Sequence, residues 1–154
     1  MSVIVGWDVG GVHLKAARAE DNRITRAIQL ASPLRAGLER LVQAFAEAKT
    51  LIGHADHHVI TMTGELADTF ASRPEGVERL AALAAAELSD APVLVYAGPS
   101  GLVHPGDARK HAAVIASANW HVCAALVAHQ CASALFVDLR GVTRDLRVNH
   151  VVRL

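Results

Sequence analysis

Two adjacent glycines, Gly10 and Gly11, interrupt a β-favouring run that extends from Val3 to Ala19, so the first twenty residues read as a strand, a tight turn and a returning strand. A turn that carries backbone N–H groups close to an anion needs residues without a Cβ, for close approach and for positive φ angles. Asp8 closes the first strand, where a carboxylate can hold a metal-bound water or orient a nucleophile. Lys15 on the returning strand offers a point charge for a phosphate. The same residues would also make an ordinary Gly-Gly hairpin with a solvated lysine. Neither GxGxxG nor GxxxxGK[ST] is present at this turn, and the chain leaves it as a strand rather than a helix.

Beyond the hairpin, Asp21-Asn22 makes a second turn and Arg23 to Leu30 a third strand. Ser32-Pro33 then opens a helix whose apolar stripe is Leu34, Leu38, Leu41, Val42, Phe45 and Ile52. His58 to Met62 is a short strand ended by Thr63-Gly64, and Val77, Leu80, Ala81, Ala84 and Leu88 mark a second helix. Val93 to Tyr96 reads as a strand covered on both faces. Gly106-Asp107 opens a third helix, continuous through Ala112, Ile115, Ala116, Cys123, Leu126 and Val127, before a strand at Leu135 to Asp138 and further strands in Arg144 to Leu154. A meander followed by β-α alternation predicts an α/β architecture, a mixed sheet with helices on both faces. At 154 residues one domain spanning 1–154 is expected.

With 52% hydrophobic and only 4% aromatic residues, the core must be filled mainly by Ala, Val and Leu. Fifteen basic side chains balance fifteen acidic ones, so no overall field attracts nucleic acid or an anionic membrane. No apolar run is long enough to span a bilayer, and a cytoplasmic location is the default expectation. Cys123 and Cys131 lack the spacing of a zinc site and read as reduced, packed thiols. His54, His57 and His58 read as exposed loop histidines rather than metal ligands.

A glycine turn between two strands, bearing Asp8 and Lys15, is similar to the phosphate hairpin of the actin and hexokinase (ribonuclease H-like) fold. More specifically, Gly6-Trp7-Asp8-Val9-Gly10-Gly11-Val12-His13-Leu14-Lys15 resembles the opening of the hydantoinase/oxoprolinase-related proteins of the tetrahydromethanopterin-linked one-carbon pathway. Thr61 to Asp68 with Glu75-Gly76-Val77 resembles that family's second block, and Ser117-Ala118-Asn119-Trp120-His121 its third. The resemblance implies the amino-terminal, actin-like ATPase-type half of a two-domain transferase. Such an enzyme joins an aminomethylfuran diphosphate to the phenol of a glutamyl-tyramine and releases pyrophosphate, a step of methanofuran biosynthesis. It implies a phosphorylated small-molecule substrate, Mg²⁺ held by Asp8 and Asp138, and phosphate contacts from Gly10, Gly11 and Lys15.

Displacing a diphosphate needs leaving-group charge to be stabilised, and a base must take the phenol proton. Asp8, Glu65 and Asp68 are the candidate catalytic carboxylates, although Glu65 and Asp68 also suit a helix amino terminus through its dipole. Thr63, Ser117 and Asn119 are the substrate-contact candidates. Asn119 on an apolar helical stripe either fixes a neighbouring loop or reaches a ligand.

The family's second phosphate loop corresponds to Asp138-Leu139-Arg140-Gly141-Val142-Thr143-Arg144-Asp145. Asp138, Thr143 and Asp145 keep their positions, but Arg140 and Arg144 replace small residues that close backbone approach requires. Relatives continue into a second domain that closes the cleft, so little turnover is expected of the 154 residues alone. Two other readings stand beside the transferase. One is an ATP-dependent hydantoinase-like or sugar-kinase-like enzyme. The other is a non-catalytic module that forms a homodimer through the face its second domain would cover.

Overall fold

The computed structural model describes residues 2–131, 133–142 and 145–153, with side chains as far as residue 136. The chain forms two compact units, 1–118 and 119–154.

The first unit is built on a six-stranded sheet. Strands β1 (Val3–Val9), β2 (His13–Glu20) and β3 (Arg23–Ala31) form an antiparallel meander. Strands β4 (His57–Met62) and β5 (Val93–Tyr96) then add in parallel beside β1, and the two-residue β6 (Leu102–Val103) pairs antiparallel with β5. The order is β3-β2-β1-β4-β5-β6. A 3-2-1-4-5 mixed sheet with crossover helices after β3 and β4 is the ribonuclease H-like, actin-type topology. The resemblance at the glycine hairpin led to the same fold class.

Helices α1 (Glu39–Ile52) and α2 (Arg73–Glu87) supply those crossovers. Strand alternation sends Val5, Trp7 and Val9 of β1, Leu14 and Ala16 of β2, and His58, Ile60 and Met62 of β4 to one face, where all are buried. Phe45 of α1 packs against Trp7 at 5.3 Å between ring centroids, and Leu41, Ala44, Ala48, Val77, Leu80 and Ala84 complete this core. Helix α2 opens with a capping box: the Ser72 hydroxyl accepts from the Glu75 amide, and the Glu75 carboxylate accepts from the Ala71 amide. The C-terminal carbonyls of α1 are met by guanidinium groups of the meander, Arg18 on Ile52 and His54 and Arg26 on Leu51.

The opposite face of the sheet carries Ile4, Gly6, Asp8, Lys15, Ala17 and Thr61. Among the described residues of this unit, α1 and α2 both pack on the first face.

The third helix differs from its prediction. In place of one continuous element there is a 3-10 stretch at Pro105–His111, a single turn α3 (Ala112–Ile115), and then a break before α4 (Asn119–Gln130). Ser117 in the break has φ +56, the left-handed region. In the second unit β7 (Leu135–Val142) and β8 (Asp145–Arg153) form an antiparallel hairpin. Cys123 and Cys131 are exposed free thiols rather than packed ones. Among the described residues no single helix is long and apolar enough to cross a membrane.

Candidate functional site

The hairpin expected from Gly10-Gly11 forms, but its glycines are needed for a different reason. Neither has a positive φ. The Gly10 amide donates to the His13 carbonyl at 3.0 Å, and a Cβ at Gly10 would lie 2.9 Å from that same oxygen. Close approach, not handedness, therefore excludes a side chain at Gly10. A Cβ at Gly11 would meet nothing within 4 Å. Because the Gly10 amide is already bonded inside the hairpin, it is not poised to donate to an anion, contrary to the sequence expectation.

Asp8 and Lys15 come together as expected. They sit opposite one another in the β1–β2 register, with Lys15 Nζ donating to Asp8 Oδ2 at 3.0 Å. The next strand places Thr61 opposite Asp8. Asp8 Oδ1 and Thr61 Oγ1 are both shielded from solvent and have no hydrogen-bond partner among the described residues. A buried oxygen left unsatisfied costs about 1–3 kcal/mol, so a donor or cation reaching this spot has something to gain.

These groups form the polar end of a groove of about 530 Å³ on the open face of the sheet. Its floor is the cross-strand row Gly6, Ala17 and Ala27, which the register sets side by side. A Cβ on Gly6 would meet only the Ala17 carbonyl, at 4.0 Å. The missing side chain is thus not demanded by packing, and it leaves the groove open. Gly6, Ala17 and Thr61 escaped the sequence reading as site residues. Period-two alternation from Asp8 would have brought in Gly6, and the neighbouring strand's hydroxyl becomes visible only with the register.

An oxygen donor set of one carboxylate atom and one hydroxyl fits Mg²⁺, which keeps several waters and takes one or two carboxylates plus substrate phosphates. Asp8 and Thr61 would hold such an ion. No cluster of three or more ligating side chains occurs among the described residues.

Thr63 lies at the other side of the hairpin. Its amide donates to the Val9 carbonyl at 3.0 Å, and its Oγ1 is 3.8 Å from where a Gly10 Cβ would be. Glu65 and Ser117, both predicted site residues, are also brought together: Ser117 Oγ donates to Glu65 Oε1 at 2.9 Å. Yet Glu65 is only 2% exposed, lies inside a 3-10 turn (Gly64–Leu66), and is not part of the groove. Burial raises its carboxyl above the ordinary range, with its own backbone amide, Ser117 and the Arg73 charge opposing. Asp68 is exposed in the turn beyond it. Neither carboxylate sits at the start of α2, eight and five residues further on, so the helix-dipole reading does not apply to them.

His58, expected in an exposed loop, is instead a core residue of β4. Its Nδ1 accepts from the Trp7 indole at 3.1 Å, and Nε2 lies 3.7 Å from Asp90. Burial lowers its pKa, opposed by Asp90. His54 and His57 are exposed.

In the second unit Asn119 is the first residue of α4 rather than a position in mid-stripe, and its Oδ1 accepts from the Trp120 amide. The stretch expected to be a phosphate loop runs as strand β7 through Val142. Asp138 pairs with His150 and Asp145 with Val142, so the two acids stand at different levels of the hairpin. Thr143 lies outside the described residues.

No protein-family model matches the sequence, and no curated protein is similar to it. Among solved structures, the chain aligns over 99% of its length with 51% of a Ppx/GppA family member from Aquifex aeolicus, at 15% identity and TM-score 0.46. The type II variant of the Ppx/GppA phosphatase of that organism gives 15% identity and 0.45, with 52% of it covered. YeaZ from Pseudomonas aeruginosa gives 12% identity and 0.39, with 68% covered. The chain thus spans about half the length of the two Aquifex proteins. Its own strand order, rather than these alignments, defines the fold.

Proposed function

We propose that this chain is the phosphate-handling half of a transferase that displaces a diphosphate, the step of methanofuran-type cofactor assembly in which an aminomethylfuran diphosphate meets a glutamyl-tyramine phenol. The observation that carries the reading is the Asp8–Lys15 pair, 3.0 Å apart at the polar end of an open groove. Both side chains keep solvent access, so the pair is worth no more than about 1 kcal/mol and exchanges readily for a phosphate. Lys15 would turn from Asp8 to a phosphate oxygen, and the Thr61 hydroxyl would donate to another. Mg²⁺, when bound, supplies further neutralisation of leaving-group charge. Asp8 opens on the groove and Glu65 does not, which favours Asp8 over Glu65 as the carboxylate that holds the metal or takes the phenol proton.

Calorimetric titration of the full chain with Mg²⁺ and pyrophosphate tests this. Binding is expected, and Lys15→Ala should weaken it about tenfold or more, the worth of a charge-assisted hydrogen bond. Absence of pyrophosphate binding sinks the reading. The actin-type strand order favours one alternative, an ATP-dependent enzyme. Tight ATP binding without pyrophosphate binding would select it.

A further inference from the structure

The segment 112–130 has the composition of one helix. It contains no Gly or Pro, and Ala112, Ile115, Ala116, Cys123, Leu126 and Val127 recur at helical spacing. Nevertheless α3 stops at Ile115 and α4 starts at Asn119. The Ala116 amide still donates to the Ala112 carbonyl, but the Ala118 amide turns back to Ile115. Between them Ser117 takes the left-handed conformation, which glycine usually provides just past a helix end. For a non-glycine residue this costs about 1–2 kcal/mol. Something must hold it there, and local sequence does not.

The side-chain bond that Ser117 makes is to Glu65, 52 residues earlier. Glu65 itself is fixed by close packing: a Cβ on Gly76 of α2 would come within 2.9 Å of Glu65 Cα and 3.0 Å of its carbonyl. Glycine in a helix interior costs about 1 kcal/mol relative to alanine, so α2 tolerates a weak residue where Glu65 is seated.

We infer that Glu65 is a latch: its hydrogen bond to Ser117 stops α3 at Ile115, and without it the helix runs on through Ala118. Residues 116–118 then have two discrete arrangements, broken with the latch made and helical with it lost, which is the requirement for a conformational switch.

Carbon chemical shifts by NMR on the full chain read the two states directly. In the parent, residue 117 should show left-handed shifts. Glu65→Met, which keeps volume but accepts no hydrogen bond, should move residue 117 to helical shifts. Glu65→Gln, which can still accept from the hydroxyl, should keep the break. If Glu65→Met does not fold, Glu65→Leu, equally unable to accept, decides with the same expected change, whereas Ser117→Gly should stay broken. Left-handed shifts persisting in Glu65→Met, or in Glu65→Leu when that variant decides, would overturn the latch.

Discussion

The two faces of the central sheet are made from alternate residues of the same strands, yet they have opposite tolerances. On the covered face Val5, Trp7 and Val9 of β1 lie with Leu14, Ile60 and Met62 in an apolar layer that includes His58, whose ring is tied to the Trp7 indole. On the open face Gly6 and Asp8, one residue away, meet a groove and an ion pair. The difference teaches that core and groove are separated here by a single step along β1: the core takes the odd-numbered positions, the groove and its ion pair the even-numbered ones.

Substitutions should respect this division. Trp7→Ala removes the largest side chain of the core and should cost about 3–5 kcal/mol in urea unfolding. A loss below about 1 kcal/mol would break the contrast. Next in size is Gly76→Ala, where a new Cβ has no room against the Glu65 backbone. Overpacking should outweigh the gain in helix propensity and leave a net loss of about 1–3 kcal/mol. A gain would show that the turn around Glu65 yields. On the open face Gly6→Val should change stability by less than about 0.5 kcal/mol. Because it fills the groove floor, it should still reduce pyrophosphate affinity. Equal losses in both measurements would erase the distinction.

Two buried titratable groups sharpen the comparison through pH. Glu65 has a folded pKa above its ordinary 4.5, so the unfolded chain releases its proton first as pH rises. Stability should therefore fall from about pH 4.5 upward until the folded carboxyl ionises, and Glu65→Gln should flatten that slope. His58 has a folded pKa below its ordinary 6.5, so the unfolded chain takes up its proton first as pH falls. Stability should drop below about pH 6.5 until the folded ring protonates, and His58→Gln should flatten that side. Melting temperature against pH in the two variants separates the contributions. The smallest expected effect is Asp8→Asn, which frees Lys15. It should improve metal-free pyrophosphate binding a few-fold and abolish any gain from Mg²⁺, as calorimetry would show.

Strands and the first two helices were legible because their patterns are local. Alternation in Val3–Val9 and the stripe through Leu41, Phe45 and Ile52 need no knowledge of the rest of the chain. Asp8 and Lys15 were legible as a pair since a two-glycine turn fixes their register. The alternation of His58, Ile60 and Met62 also held the information that His58 faces inward, but a run of three histidines in five residues obscured it. What the sequence could not disclose depends on distant contacts. The break at Ser117 is set by Glu65, and no window along the helix contains that residue. Nor does any local pattern reveal that Thr61 stands beside Asp8, because the parallel β1–β4 pairing joins residues more than fifty positions apart.

Strand β1 has hydrogen-bonded neighbours on both sides, β2 antiparallel and β4 parallel. A backbone gripped in this way cannot shift to meet an incoming anion, so accommodation falls to the rotation of one lysine side chain. Arrival of a ligand should then be governed by ionic atmosphere rather than by chain motion. Its association rate should fall with added salt and stay nearly indifferent to solvent viscosity beyond simple diffusion.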